Sequence, residues 1–215
     1  MKLITNNKRY LKIVNACLMI LTAGIFTFTS YSCNVLNTLS DIQRLQFKLG
    51  QVNGFNLAGV SLASFSSASS INPLDIVRLT SAFANGSLPA GFTLNVITRN
   101  PNGSNGSTSQ NNSSTIRRFQ WKLLINDAET VSGTVNREIV VPGMGHESVI
   151  PVDINIDLMQ FFRNQGFQNL MNLALNLGGA NRTTSNLKMV ANVDVNVLGV
   201  TIPINNITIV DRDFR

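Results

Sequence analysis

The chain has 215 residues, of which 44% are hydrophobic and only 13% are charged. This length suits one ordinary domain with a targeting segment and argues against two full domains. The low charge is unusual in a cytosolic protein, and the composition fits neither a disordered chain nor a protein with many membrane spans.

The net charge of +6 is concentrated at the N-terminus, where four basic residues without an accompanying acid precede an apolar run: Lys2, Lys8, Arg9 and Lys12. Without them, 13 Lys and Arg remain against 11 Asp and Glu. The remaining basic residues are scattered, and Arg117-Arg118 is their only adjacent pair. A nucleic-acid-binding protein concentrates positive charge on one face or stripe. The sequence therefore argues against nucleic acid as a partner.

The N-terminal segment has the organisation of an export signal. Residues 2–12 are basic, and residues 13–31 are mostly apolar or small. The sequence Ser30-Tyr31-Ser32-Cys33 then resembles the lipobox of bacterial lipoproteins, in which the chain is cleaved before the cysteine and the cysteine is acylated. We therefore expect a signal peptide over residues 1–32, lipidation of Cys33 and a lipidated tether over residues 33–43.

Two alternatives to this processing remain open. Cys17 follows Val14-Asn15-Ala16, but almost no apolar residues precede that position. The apolar run is also close to the roughly 20 residues that span a bilayer, so an uncleaved anchor helix is the other alternative. Each alternative predicts a domain outside the cytoplasm that is tethered to a membrane.

The two cysteines, Cys17 and Cys33, both lie at or before the predicted cleavage site. The mature domain is therefore expected to contain no disulfide, no zinc site with cysteine ligands and no cysteine nucleophile.

Apolar and polar residues alternate after residue 44, which is typical of strands. A pair of strands is predicted over residues 45–62, joined at the turn dipeptide Asn53-Gly54. Asn72 caps a predicted helix, which ends at Asn85-Gly86. A strand over residues 92–98 follows the helix.

The second half of the chain continues this pattern after a polar loop over residues 103–114. Strands are predicted at 118–125, 131–141, 150–156, 187–197 and 200–209, the last with a register shift near Pro203. Asp157 caps a helical stretch over residues 158–177, which Gly166 splits. Seven or eight strands with one or two inserted helices predict a mainly β fold, an immunoglobulin/fibronectin-III-like β-sandwich.

Several segments resemble the late-embryogenesis-abundant (LEA) type 2 family, also called the WHy domain, and in particular its bacterial lipoprotein members. A strand leads into Asn100-Pro101-Asn102, the signature of that family. The similar segments that follow are residues 121–133, Val141-Pro142-Gly143, residues 154–162 and residues 172–175. The similarity covers residues 44–212, nearly the whole of the expected domain 44–215.

This resemblance implies a seven-stranded sandwich with an inserted helix, no established catalytic residues and no cofactor. Plant members of the family are linked to desiccation and stress tolerance. Asn100, Pro101 and Asn102 are then either a recognition loop or a structural turn at the end of a strand, where proline fixes φ and asparagine side chains bond nearby backbone.

The remaining candidate sites are weighed residue by residue. His146 is the only histidine, and adjacent residues of a strand point to opposite faces, so His146 and Glu147 are not expected to act together as a general base. With no second histidine and no cysteine nearby, a transition-metal site is not expected either. Asp153, Asn155 and Asp157 share one face but lack the glycine and glutamate of a calcium loop. Asp127 and Glu129 lie at a hairpin turn, where acids are common for backbone reasons.

An apolar helix face forms the last candidate site. Its residues either line a groove for a lipid or peptide or pack as core, and the core is the more usual role of such a stripe. They are Phe161, Phe162, Phe167 and Leu170.

We thus expect a non-enzymatic, monomeric, lipid-anchored protein of the cell envelope, on the periplasmic or outer face of the outer membrane. Its role would be stress protection or envelope maintenance. The alternative is a binding module for an apolar ligand, either a lipid or a peptide, or for an envelope protein partner. A pocket of several hundred Å³ between sandwich and helix would support that alternative.

Overall fold

The computed structural model describes residues 45–101, 113–143, 145–180, 183–197, 199–212 and 214. The predicted signal peptide, Cys17, the lipidation site Cys33, the tether and Asn102 lie outside these residues. In the part of the chain that is described, no helix is both long enough and apolar enough to cross a bilayer.

Two antiparallel sheets form the fold. Sheet A has the order β2-β1-β3-β7, and sheet B has the order β5-β4-β8-β9 with β6 paired to the other half of the β4 edge that carries β5. Seven of the nine strands in the described ranges are long, and β2 and β6 are short. The strands are β1 Gln46–Leu57, β2 Val60–Ser61, β3 Pro89–Arg99, β4 Ser114–Ile125, β5 Ala128–Val135, β6 Ile139–Val141, β7 Glu147–Asp157, β8 Leu187–Val197 and β9 Val200–Ile209.

The predicted β-sandwich is confirmed. The chain crosses between sheets after β3, after β6 and after β7, and the long strands β1-β3-β7 and β5-β4-β8-β9 have the neighbours of an immunoglobulin-like sandwich. Every second residue is buried along β3, along β4 from Phe119 onward and along β7 from Ile150 onward, since alternate residues of a strand face the same side. Phe47 of β1 and Phe119 of β4 meet across the core with ring centroids 6.3 Å apart.

Three α-helices complete the described fold: α1 Pro73–Ala84, α2 Leu158–Phe161 and α3 Phe167–Gly178. The predicted ends of α1 are confirmed, because the Asn72 side chain accepts a hydrogen bond from the Leu74 backbone N–H and Asn85 is the C-cap. Asp157 caps α2 as predicted, and Gly166 is the N-cap of α3. The predicted break at Gly166 is therefore confirmed.

One predicted turn is wrong in position. Asn53-Gly54 does not join two strands: β1 continues through it, and the positive φ of Gly54 accommodates a bulge between Asn53 and Asn56. The turn falls instead at Ala58-Gly59, where both residues have positive φ. The same glycine geometry serves a bulge and a tight turn, so the dipeptide alone does not distinguish them.

The last strand of sheet B contains the register shift that the sequence predicts near Pro203. The shift is confirmed between Ile204 and Ile207, while Pro203 itself pairs with Asp194. The irregularity lies at residues 205–206, where Asn206 has a positive φ and its N–H donates to the Asn192 side chain at 2.8 Å. Further upstream, the single strand predicted over residues 131–141 is two strands, β5 and β6, that both pair with β4.

Candidate functional site

Asn100 and Pro101, the described part of the Asn-Pro-Asn motif, follow the end of β3 and are partly inside the protein. Asn100 is completely buried, and its carbonyl accepts a hydrogen bond from the Gly145 N–H at 2.8 Å. Its side-chain amide donates to the Ser114 hydroxyl at 3.4 Å, while Pro101 is half-buried. Buried polar groups are costly unless they are hydrogen-bonded, so these bonds fix the chain where it leaves the sheet.

The acids that share one face of β7 have separate contacts. Asp153 accepts a hydrogen bond from the Thr93 hydroxyl at 2.7 Å. Asp157 instead accepts from the Leu88 N–H at 2.8 Å, the Ser87 hydroxyl at 2.7 Å and the Met159 N–H at 2.9 Å. In the described ranges, no cluster of three or more His, Cys, Asp or Glu side chains is arranged to hold a metal ion.

The acids of the β4–β5 hairpin pair with lysines at the surface. The predicted hairpin turn is confirmed but is shorter than expected: Asn126 and Asp127, both with positive φ, form a two-residue turn between Ile125 and Ala128. Glu129 lies in β5. The Lys188 Nζ lies 2.5 Å from Asp127, and Lys122 and Glu129 are 3.0 Å apart. These pairs are exposed and leave neither carboxylate poised for chemistry.

His146 is exposed in the turn before β7. Its N–H donates to the Gly143 carbonyl at 3.3 Å, which is a backbone contact of the turn. The neighbouring Glu147 pairs in register with Arg99 at the start of β7. The two side chains are not brought together by any hydrogen bond or ion pair described for this turn.

The apolar helix face divides between core and surface. Leu170 is 1% exposed and packs in the core together with most of the following turns of α3. Phe167 is half-buried and meets the Phe83 ring of α1 edge-on, with the centroids 5.5 Å apart. Phe162 is half-buried, and Phe161 is 37% exposed. These four residues therefore do not share one open surface.

The helices at this end of the sandwich expose other apolar side chains. Leu79 is the buried residue of α1, whereas Leu74 and Val77 of the same helix are 77% and 61% exposed. The exposed residues of α1 stand beside a salt bridge between Arg78 and Asp75, 3.5 Å long.

Described residues form surface cavities, and the four phenylalanine and leucine positions line none of the three that follow. One, of about 480 Å³, lies on the outer face of sheet B between Lys122 and Asn192. A second, of about 350 Å³, lies beside Gly91 and Asn155 of sheet A. The third, of about 510 Å³, also lies on sheet A, and its lining includes Lys48, Asn95, Ile97, Val149, Thr183 and Asp211.

Sequence reasoning did not find the 510 Å³ cavity. Its lining comes from residues 48–52 of β1 and from single residues or pairs of β3, β7, α3, the connection that follows α3 and the segment that follows β9. These residues form no motif in the sequence, so only the folding of the chain brings them together.

No protein-family model and no curated protein matches this chain. A solved structure described as a protein from Archaeoglobus fulgidus is similar over 54% of this chain and 77% of its own, with 8% identity and a TM-score of 0.30.

Proposed function

We propose that this chain is a non-enzymatic, lipid-anchored protein of the cell envelope that carries a LEA type 2-like domain. In this proposal residues 1–32 are removed, Cys33 becomes the acylated first residue, and the sandwich is exported. Its role is protection against stress or maintenance of the envelope, as the family resemblance suggests.

The position of Cys33 relative to the folded domain is the observation that carries the proposal. Gln46, the first residue of β1, follows Cys33 by thirteen positions, so a short tether separates a lipid from the sandwich. Both cysteines of the chain precede the described residues, so the described domain contains no cysteine.

The placement of the acids supports a non-enzymatic role. Asp157 is engaged by three donors at a helix cap, and Asp194 lies 2.7 Å from the Arg118 guanidinium. Asp127 and Glu129 pair with lysines. A catalytic acid or base needs a converging set of groups in a cleft, and these carboxylates are distributed over separate surface positions.

Metabolic labelling with a fatty acid analogue tests the proposed anchor. Wild type and Cys17→Ser are expected to incorporate the label and to sediment with membranes, while Cys33→Ser incorporates none. Cys17→Ser is the matched control, because it removes the other thiol of the N-terminal segment. Label on the Cys33→Ser protein, or no label on wild type, would contradict lipidation at this position.

A further inference from the structure

Two neighbouring apolar residues on the outer face of sheet A, Ile97 and Val149, form the apolar floor of a cavity. Lys48, Ile97 and Val149 stand side by side on three neighbouring strands, because Lys48 is in register with Ile97 and Ile97 with Val149. Val149 is 52% exposed, although the outer face of a sandwich is usually polar. The Ile97 and Val149 side chains line a cavity of about 510 Å³.

A bulge in β1 shapes one wall of this cavity. The register between β1 and β3 shifts between Leu49 and Val52, and a Cβ on Gly50 would lie 3.1 Å from both the Asn95 carbonyl oxygen and the end of Ile97. The Leu49 N–H is turned to the Val210 carbonyl, to which it donates at 3.1 Å. This bond brings the segment that follows β9 against the bulge.

The Leu49–Val210 hydrogen bond places two opposite charges at the cavity. Lys48 directly precedes one partner of this bond and Asp211 directly follows the other, and both residues line the cavity. Asp211 accepts a hydrogen bond from Thr184 at 2.5 Å, and the Lys48 ammonium lies 4.6 Å from the centre of the Phe214 ring. An aromatic ring holds an ammonium in place without neutralising it.

Neither charge has an ionic partner among the described residues. The ion pairs within 4.0 Å involve other side chains, and Lys48 and Asp211 do not pair with each other. The cavity therefore offers the Lys48 ammonium on β1, the Asp211 carboxylate on the segment that bonds to one edge of β1, and an apolar floor on β3 and β7 at the other edge of β1. Its volume lies within the range of small-molecule sites, roughly 300–1,000 Å³.

We infer that this cavity binds a short apolar peptide with free ends. The carboxylate of the peptide meets the Lys48 ammonium, its ammonium meets the Asp211 carboxylate, and its side chains cover Ile97 and Val149. A ligand with both charges and an apolar body matches all three parts of the lining, whereas a lipid tail or a simple anion matches only one of them. The inference does not depend on lipidation of Cys33.

Methyl NMR on the full chain in detergent micelles tests this site, with isotope-labelled Ile and Val methyl groups and the dipeptide Leu-Leu as the probe. Saturable shifts of the Ile97 and Val149 resonances are expected. N-acetyl-Leu-Leu lacks the ammonium and Leu-Leu-amide lacks the carboxylate, so each is expected to bind about tenfold more weakly or worse.

Two variants assign each charge to its partner. Lys48→Gln is expected to weaken Leu-Leu about tenfold and to leave the affinity for Leu-Leu-amide unchanged, since the amide has no carboxylate to lose. Asp211→Asn is expected to weaken Leu-Leu about tenfold and to leave the affinity for N-acetyl-Leu-Leu unchanged, since the acetylated peptide has no ammonium to lose. It retains an acceptor for Thr184. Thermal unfolding verifies that both variants are folded.

Lys122→Gln, on the outer face of sheet B, is the matched control and is expected to bind Leu-Leu as wild type does. The inference is overturned if Ile97 and Val149 show no saturable shift with Leu-Leu, or if both site variants bind it as tightly as the control. Shifts that both blocked peptides produce as strongly as Leu-Leu would also overturn it, because the charges would then play no part.

Discussion

At the scale of single residues, the Asp157 carboxylate joins the end of β7, the start of α2 and the chain before β3. Burial raises the pKa of this carboxyl, but the hydrogen bonds from Leu88, Ser87 and Met159 and the charge of Arg163 outweigh burial and hold its pKa below the usual value. The ionised form is therefore favoured in the folded protein.

Replacing Asp157 by Asn is expected to lower the free energy of unfolding by about 1 kcal/mol at pH 7. The amide oxygen still accepts from the Leu88 and Met159 N–H groups, and the NH2 group can donate to the Ser87 hydroxyl. The expected loss therefore comes from the negative charge, which strengthens these hydrogen bonds. Because folding lowers the pKa, the contribution is complete above the pKa of the unfolded chain, about 3.9. It is lost as the pH falls through the lower folded value.

Urea denaturation between pH 7 and pH 3 measures this contribution. The difference between wild type and Asp157→Asn is expected to shrink below about pH 4. Asp153→Asn is the control, since Asp153 is exposed and accepts from the Thr93 hydroxyl. Equal stability of wild type and Asp157→Asn at pH 7 would show that the cap does not depend on the charge.

Trp121 illustrates a packing contact that depends on small neighbours. In the pairing of β4, this residue stands between Gly133 of β5 and Ala191 of β8, and it is 7% exposed. A Cβ on Gly133 would lie 2.6 Å from Cζ2 of the indole ring. The ring therefore occupies the space that a side chain at position 133 would need.

Gly133→Ala is expected to lower the free energy of unfolding by about 1–3 kcal/mol, because the indole must shift in a packed core. Trp121 is the only tryptophan of the chain, so a change in its emission spectrum should accompany the loss. Ser132→Ala, on the exposed face of the same strand, is the control. A Gly133→Ala protein with wild-type stability and emission would refute this packing.

At the scale of elements, α3 is pressed closely against β1. A Cβ on Gly178, at the last position of the helix, would overlap the Phe55 side chain, whereas one on Gly166, at the first cap, would meet nothing within 4 Å. The buried face of α3 thus depends on a glycine where its C-terminal turn meets the strand.

Gly178→Ala is expected to destabilise the protein by more than about 3 kcal/mol, since neither the helix end nor the strand can yield. Gly166→Ala, the matched substitution in open space, is expected to cost less than about 1 kcal/mol. Chemical denaturation followed by far-UV circular dichroism measures both. Similar losses for the two variants would contradict the close approach of α3 to β1.

Local sequence signals predict where a helix begins and ends better than they predict what packs against it. Asn72, Pro73 and Asn85-Gly86 define α1 because caps and turns are made by neighbouring residues. The exposure of Leu74 and Val77 is different, since periodicity identifies an apolar face but not what lies against it. The turn predicted at Asn53-Gly54 is a bulge for a similar reason, because a positive φ is compatible with more than one pairing of the strands.

At the scale of the whole molecule, the arrangement of strands brings distant residues together. Trp121 pairs with Ala191, seventy positions later, and the cavity of sheet A unites Lys48 with Val149 and Asp211. The sandwich class follows from the number and spacing of alternating segments, which the sequence displays. Such a cavity could not be predicted, because it arises from register and from the path of the chain after β9.

The N-terminal segment and the sandwich have different requirements. The buried residues that the structure describes in both sheets and α3 include no cysteine. Cys33 therefore serves attachment in the proposed function, and its replacement is expected to change where the protein resides without changing how the domain unfolds.

Intact mass spectrometry of the protein extracted from membranes tests acylation of Cys33 most directly. The predicted intact mass is that of residues 33–215 with added acyl groups. Digestion of the extracted protein is expected to yield an N-terminal peptide that begins with a lipid-modified Cys33. The full chain of 23.4 kDa without lipid, or a mature chain that begins elsewhere than Cys33, would contradict it.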